Sequence, residues 1–230
     1  MHSWVIFDGD NTLWEVESLY NEARGSLCHF LEGAGPTQRH VEDFQQKRDK
    51  ELYATYGYSA CRFARSFEDT ILHFIPNASA KDVRHVRSLA LLVFEQKAAV
   101  SDGLKDLLDT LAGQYQLGII TAGERWVQER RLRDFHLQNN FKAIEIVDVK
   151  SKAVFQQYCA KHSVDIPRSW VVGDSVNSDV IPALAAGLKA VHVQAENWHH
   201  VEGQTTSLPD GVPTVRSILE IRPLLLSTST

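Results

Sequence analysis

Four short apolar runs in this chain are each followed by polar residues of the types that phosphoryl chemistry uses. After Trp4 to Phe7 comes Asp8-Gly9-Asp10-Asn11-Thr12, and after Leu117 to Ile120 comes Thr121. Shortly past Ala143 to Val147 comes Lys150, and after Ser169 to Val172 comes Gly173-Asp174-Ser175, then Asp179. Carboxylates brought to one point need a cation. With only oxygen ligands on offer, a hard ion such as Mg²⁺ is the expected choice, since zinc or copper would call for clustered His or Cys. Such an ion also neutralises the charge on a phosphoryl group. The bland reading of the first cluster is a solvated turn, because Asp, Gly and Asn are all turn formers. Its weight comes from the series it belongs to.

The elements that must position these groups follow from periodicity. Trp4 to Phe7 suits a buried strand that stops at a polar rim. From about Ser18 to about Ala98 the apolar positions fall three or four apart, which predicts helices and no strand. The first carries Leu19, Ala23, Leu27 and Phe30 or Leu31 and ends at Gly33, Gly35 and Pro36; the second starts at Thr37 and carries Val41, Phe44 and Leu52, stopping near Tyr56 and Gly57. The third holds Phe63, Phe67, Ile71 and Phe74 before Pro76, and Ser79 with Asp82 resembles an N-cap for a fourth bearing Val83, Val86, Leu89, Val93 and Phe94. Four such helices suffice for a small bundle.

After Val100 strands and helices alternate, which predicts parallel βαβ units with right-handed crossovers. Leu104 to Leu111, Trp126 to Phe135, Val154 to His162 and Val180 to Gly187 read as helices; Leu117 to Ile120, Ala143 to Val147, Ser169 to Val172 and Ala190 to Val193 read as strands. Beyond Gln194 the pattern weakens, Ile218 to Leu226 could form a last helix, and the tail 227–230 should fray. The fold class expected is α/β: a Rossmann-like parallel-sheet core made of residues 1–15 and 99–230, with four helices inserted over residues 16–98. In an open parallel sheet ligands bind outside the carboxyl ends of the strands, so groups spread along the chain can converge there.

Composition excludes several classes. The 230 residues are 43% hydrophobic and 23% charged, ordinary for a globular chain and unlike a disordered one. A formal charge of −5 gives no basic field for a nucleic-acid backbone or an anionic lipid surface. Cys28, Cys61 and Cys159 are odd in number and form no CxxC pair, which fits free thiols in a reducing compartment, so a cytoplasmic address is expected. No apolar run is long enough to span a bilayer. Among the ten histidines, His199-His200 beside Trp198 lack spaced partners for a metal site.

Taken together, DGDNT, Thr121, Lys150 and GDSVNSD resemble, in order and across the whole chain, the four signature motifs of the haloacid dehalogenase superfamily. The helical insert resembles that family's α-helical cap. The resemblance implies a Mg²⁺-dependent phosphatase in which Asp8 attacks phosphorus and Asp10 serves as acid toward the leaving group, then as base toward water. It implies that Thr121 hydrogen-bonds a phosphoryl oxygen and that Lys150 offsets negative charge. Asp174 would hold Mg²⁺ together with the Asp8 side chain and the Asp10 backbone carbonyl, and Asp179 would orient a metal-bound water or Lys150. Lys152 competes with Lys150; the latter stands five residues before Phe155, the spacing at which similar members place this lysine, although Ser151 replaces the proline that often follows it.

Four rival functions are weighed against this reading. A 2-haloacid dehalogenase would use Asp8 on carbon, but halide displacement leaves nothing to protonate and those enzymes lack the acid at the position of Asp10. A phosphomutase would use the same residues, and a catalytically silent binding module would have lost at least one of them. A receiver domain places its phosphorylated aspartate after a middle strand. The partner expected is a small phosphorylated metabolite, with sugar phosphate, phosphoglycolate and nucleotide all open and the oligomeric state unassigned. Trp14, Phe63, Arg62 and Arg65 are the residues that could face such a substrate from the cap, although aromatics at helical spacing are more often core and arginines more often solvated.

Overall fold

In the computed structural model, which describes residues 1–194 and 207–226, the chain divides into two compact units. One comprises, among the described residues, 1–15, 99–194 and 207–226; the other comprises 16–98. The chain leaves and re-enters the first unit through adjacent residues, since Glu15 and Ala99 exchange backbone hydrogen bonds of 2.8 and 3.2 Å.

The first unit is built on a wholly parallel sheet of six strands, β1 (Trp4–Phe7), β2 (Gln116–Ala122), β3 (Ala143–Val147), β4 (Trp170–Gly173), β5 (Lys189–Val193) and β6 (Thr214–Val215). They lie in the order β3-β2-β1-β4-β5-β6, the doubly wound Rossmann arrangement, with β1 central and buried throughout. A fully buried strand must be apolar on both faces, which is why Trp-Val-Ile-Phe shows no alternation. Phe155, Tyr158 and Cys159 pack with Trp4, Ile6 and Ile120 in a core cluster on the sheet. The strand order reverses between β1 and β4, so the crevice expected for ligands opens at the carboxyl ends of those strands.

The other unit holds four helices, α1 (Glu17–Leu31), α2 (Gln38–Tyr56), α3 (Ala60–Phe74) and α4 (Ala80–Glu95). Their starts are set by local chemistry: Thr37, Ser59 and Ser79 each accept the backbone N–H three residues on, satisfying a donor that the helix cannot. The buried stripe of α2 differs from expectation. It runs Val41, Gln45, Asp49, Leu52, while Phe44 is half-buried and stacks on His73 at a ring separation of 4.0 Å. Two polar residues occupy that stripe because each finds a buried partner: Gln45 Nε2 donates to Ser66 Oγ at 2.7 Å, and Arg62 Nε donates to Asp49 at 2.9 Å.

The first unit adds α5 (Leu104–Ala112), α6 (Arg125–Asp134), α7 (Lys152–His162), α8 (Ile181–Ala185) and α9 (Ile221–Leu226). Two details depart from the sequence reading. The chain turns helical four residues before Val180, as a π-type turn over Val176–Val180, because Ser175 Oγ accepts the Ser178 N–H at 3.0 Å and starts the winding there. The sixth strand, two residues long and directly after Pro213, lies where the sequence pattern weakens; its pairing with β5 comes from tertiary contact. His199-His200 and the tail 227–230 lie outside the described residues.

Candidate active site

Asp8 follows β1 directly, and its N–H donates to the Val172 carbonyl of β4 at 2.9 Å, tying Asp8 to the neighbouring strand. The loop then folds back on itself. Asn11 takes a left-handed conformation (φ 58°), which Asn tolerates better than most residues, and the N–H groups of Leu13 and Trp14 converge on the Gly9 carbonyl at 2.8 and 3.2 Å. Gly9 separates the two acids for a steric reason: a Cβ there would lie 2.6 Å from the Trp14 ring and 2.8 Å from Thr121 Oγ1. The loop can therefore approach β2 only without a side chain at that position.

Lys150 reaches the same point from beyond β3. Its ammonium pairs with Asp8 Oδ1 and, at 2.6 Å, with Asp179 Oδ1, and all three side chains are buried. Lys152 is exposed on α7. Asp179 is used on both oxygens, because Oδ2 accepts the Ser175 N–H at 3.1 Å. It sits flush against the backbone before it: a Cβ on Gly173 would fall 2.3 Å from Asp179 Cγ. Carboxylate oxygens of Asp8, Asp174 and Asp179 lie within 4.8 Å of one another. The Asp174 carbonyl is held from β5 by His192, whose Nε2 donates at 2.9 Å. Thr121, at 1% exposure, has an Oγ1 with no hydrogen-bond partner among the described residues, an orphaned donor beside the acids.

Electrostatics follow from burial. Desolvation pushes the Asp8 carboxyl from 3.8 up to about 7; Lys150 pulls it down, and the charge of Asp179 adds to the rise. Burial alone would lower Lys150, but the charges of Asp179 and Asp8 outweigh it and hold the ammonium above its ordinary value. Lys150 thus bridges two of the three buried carboxylates, Asp8 and Asp179. An all-oxygen cluster of Asp8, Asp174 and Asp179 with excess negative charge fits a hard divalent ion.

Asp10 stands at the rim with its side chain 30% exposed. Its carboxylate is not free to rotate: Trp14 Nε1 donates to Oδ1 at 2.6 Å, and Gln128 Nε2 (3.2 Å) and Arg131 Nη1 donate to Oδ2. Gln128 and Arg131 were not singled out in the sequence. Their i, i+3 spacing on α6 puts them on one face, but polar residues at that spacing ordinarily face solvent. Of the four residues considered for substrate contact, Trp14 is buried in the first unit against Asp10, Phe63 is core, Arg62 is buried on Asp49, and Arg65 is solvated beside Glu68 and Asp69. Trp14 and Phe63 are thus packed, as such aromatics more often are, and Arg65 is solvated as expected; Arg62 alone departs, because Asp49 supplies a buried partner.

Residues 5–193 match the family model described as haloacid dehalogenase-like hydrolase. The pyrimidine 5'-nucleotidase YjjG of Escherichia coli (strain K12) is 27% identical over 96% of this chain and 97% of its own length. The N-acylneuraminate-9-phosphatase of Mus musculus is 29% identical over 97% of this chain and 93% of its own. A haloacid dehalogenase-like family hydrolase from Xanthomonas campestris superposes with a TM-score of 0.80 at 22% identity, covering 99% of this chain and 91% of that one, which speaks to the fold. With the parallel sheet and a match spanning most of its length, this chain belongs to the haloacid dehalogenase-like hydrolases.

Proposed function

We propose that the protein is a Mg²⁺-dependent phosphatase that hydrolyses a small phosphorylated metabolite through an aspartyl phosphate. The observation that carries this reading is the placement of Asp8: buried, bridged by Lys150 to Asp179, and within reach of Asp174. Similarity to a pyrimidine 5'-nucleotidase and to an N-acylneuraminate-9-phosphatase supports the substrate class.

In this mechanism an Asp8 carboxylate oxygen forms a bond to phosphorus while the phosphorus–oxygen bond of the ester breaks. Asp10 gives its proton to the departing alkoxide. Water then attacks the same phosphorus, passes a proton to Asp10, and releases inorganic phosphate with Asp8 restored as a carboxylate. Thr121 Oγ1 donates to a phosphoryl oxygen, the role its lack of any other partner leaves open. Lys150 offsets charge on Asp8 and on the phosphoryl group. Asp8 and Asp174 side chains and the Asp10 carbonyl would hold Mg²⁺, which when bound lowers the negative charge that the nucleophile and the ester must share. Asp179 positions Lys150. The helical unit of residues 16–98 serves as the cap that selects substrate, and three free thiols suit a cytoplasmic protein.

Asp10 disfavours the dehalogenase reading, because displacement of a halide needs no proton. The test is a panel of phosphate esters, including pyrimidine nucleoside 5'-monophosphates and N-acylneuraminate 9-phosphate, assayed with Mg²⁺ and with EDTA. Phosphate release should require the metal and vanish in Asp8→Asn and Asp10→Asn, with no halide released from 2-chloropropionate. Activity in EDTA, or full activity in Asp8→Asn, would overturn the mechanism.

A further inference from the structure

The side chain of Asp10 is the least buried of the site's acids, and yet both of its oxygens are held by side-chain donors. An aspartate on a rim loop normally samples several rotamers. Here each oxygen has its own donors, Trp14 Nε1 on Oδ1 and the Gln128 and Arg131 pair on Oδ2. The donors themselves are immobile. Gln128 and Arg131 are buried on one face of α6, and the Trp14 ring stacks on Phe135 at the end of that helix, with planes 18° apart. One helix therefore sets the carboxylate both directly and through the tryptophan. Burying a guanidinium is costly unless it is well paired, and a purely packed helix would have no use for one here. Arg131 pairs with the carboxylate of Asp10, a side chain that is itself partly exposed.

We infer that Arg131 and Gln128, with Trp14, are positioning residues that aim the Asp10 carboxylate at the leaving-group oxygen and at the attacking water. The inference rests on the phosphatase reading above. It concerns how Asp10 is held and adds no group that touches substrate. Its chemical consequence is selective. Steps that need proton transfer by Asp10 should suffer when the clamp is lost, whereas attack by Asp8 on an ester with a self-sufficient leaving group should not.

The test compares 4-nitrophenyl phosphate, whose nitrophenolate departs without a proton, with benzyl phosphate, whose alkoxide must be protonated. The readout is kcat/KM, which reports the steps up to loss of the leaving group and is blind to hydrolysis of the phosphorylated aspartate. A positioned acid is worth roughly 10²–10⁴-fold, and a misplacement of about 1 Å costs about 10²-fold. Arg131→Met should therefore lower kcat/KM for benzyl phosphate by about 10²-fold, and for 4-nitrophenyl phosphate by less than about 5-fold, since that ester does not draw on the acid. Arg131→Lys should recover part of the loss, and Gln128→Leu should show the same selectivity at smaller size. Because Gln128→Leu removes no buried charge, it keeps the comparison decisive if Arg131→Met fails to fold. Equal losses on the two esters, or no loss on benzyl phosphate, would overturn the inference while leaving the phosphatase reading intact. A wild-type protein inactive on both esters would sink that reading and the inference with it.

Discussion

Replacing Lys150 with methionine keeps an apolar stem of similar length and deletes the charge. In the wild-type site the ammonium is buried and bridges Asp8 and Asp179, so the substitution leaves two buried carboxylates without their cation. Removing one partner of a buried pair costs about 3–5 kcal/mol. In a chain of this size that corresponds to a drop of roughly 6–20 °C in melting temperature, at about 2–4 °C per kcal/mol. The same change at Lys152, which is exposed, should stay within about 0.5 kcal/mol. The deficit of Lys150→Met should also depend on pH. Burial already pushes Asp8 up to about 7 in the wild type, and Lys150 is the group that pulls it down, so its loss raises the carboxyl further. A carboxyl raised above its unfolded value of 3.8 holds its proton more tightly in the folded state. Its contribution to stability is fully present below the unfolded value and is lost as the pH rises through the folded one. The variant should therefore lie closest to wild type at acid pH and fall away as the pH climbs past 7. Urea unfolding in EDTA at several pH values from 5 to 8 measures this. Wild-type stability of Lys150→Met at pH 8, an equal loss in Lys152→Met, or a deficit that does not change with pH would refute the reasoning.

The phosphate-ester panel and the leaving-group comparison stand beside two further expectations. Gly173→Ala places a Cβ where Asp179 now packs, so Asp179 must leave Lys150 and the Ser175 N–H; under the proposed mechanism kcat should fall at least about 10²-fold, measured on whichever ester the panel identifies. In the helical unit, Arg62→Met strips the buried Asp49 of its cation and the Gly57 carbonyl of its donor. It should cost about 3–5 kcal/mol in urea unfolding followed by circular dichroism, and a loss below about 1 kcal/mol would show that the pair contributes little net stability.

Much of the helical unit is legible because its boundaries are local events. Thr37 and Ser79 cap helices by reaching three residues forward, a contact that the sequence alone specifies. The polar stripe of α2 is not legible in the same way. Gln45 and Asp49 read as solvated until Ser66 and Arg62, on another helix, supply their partners, so periodicity put Phe44 in their place. The sixth strand was missed for a similar reason: Thr214–Val215 is too short to carry a pattern and exists because β5 offers an edge.

At the site, Asp8, Asp10, Thr121, Asp174 and Asp179 could be chosen from the sequence because each stands in or just after a strand that periodicity reveals, and parallel strands carry their ends to one crevice. Their number and type already imply a hard cation. The choice between Lys150 and Lys152 needed three dimensions, since two residues of chain separate a side chain buried on Asp8 from one in solvent. The clamp on Asp10 needed them most. Gln128 and Arg131 lie 118 and 121 residues from Asp10. Nothing in a helix of mixed charge marks which of its polar side chains turn inward; only the packing of α6 beside the β1 loop brings them to that carboxylate.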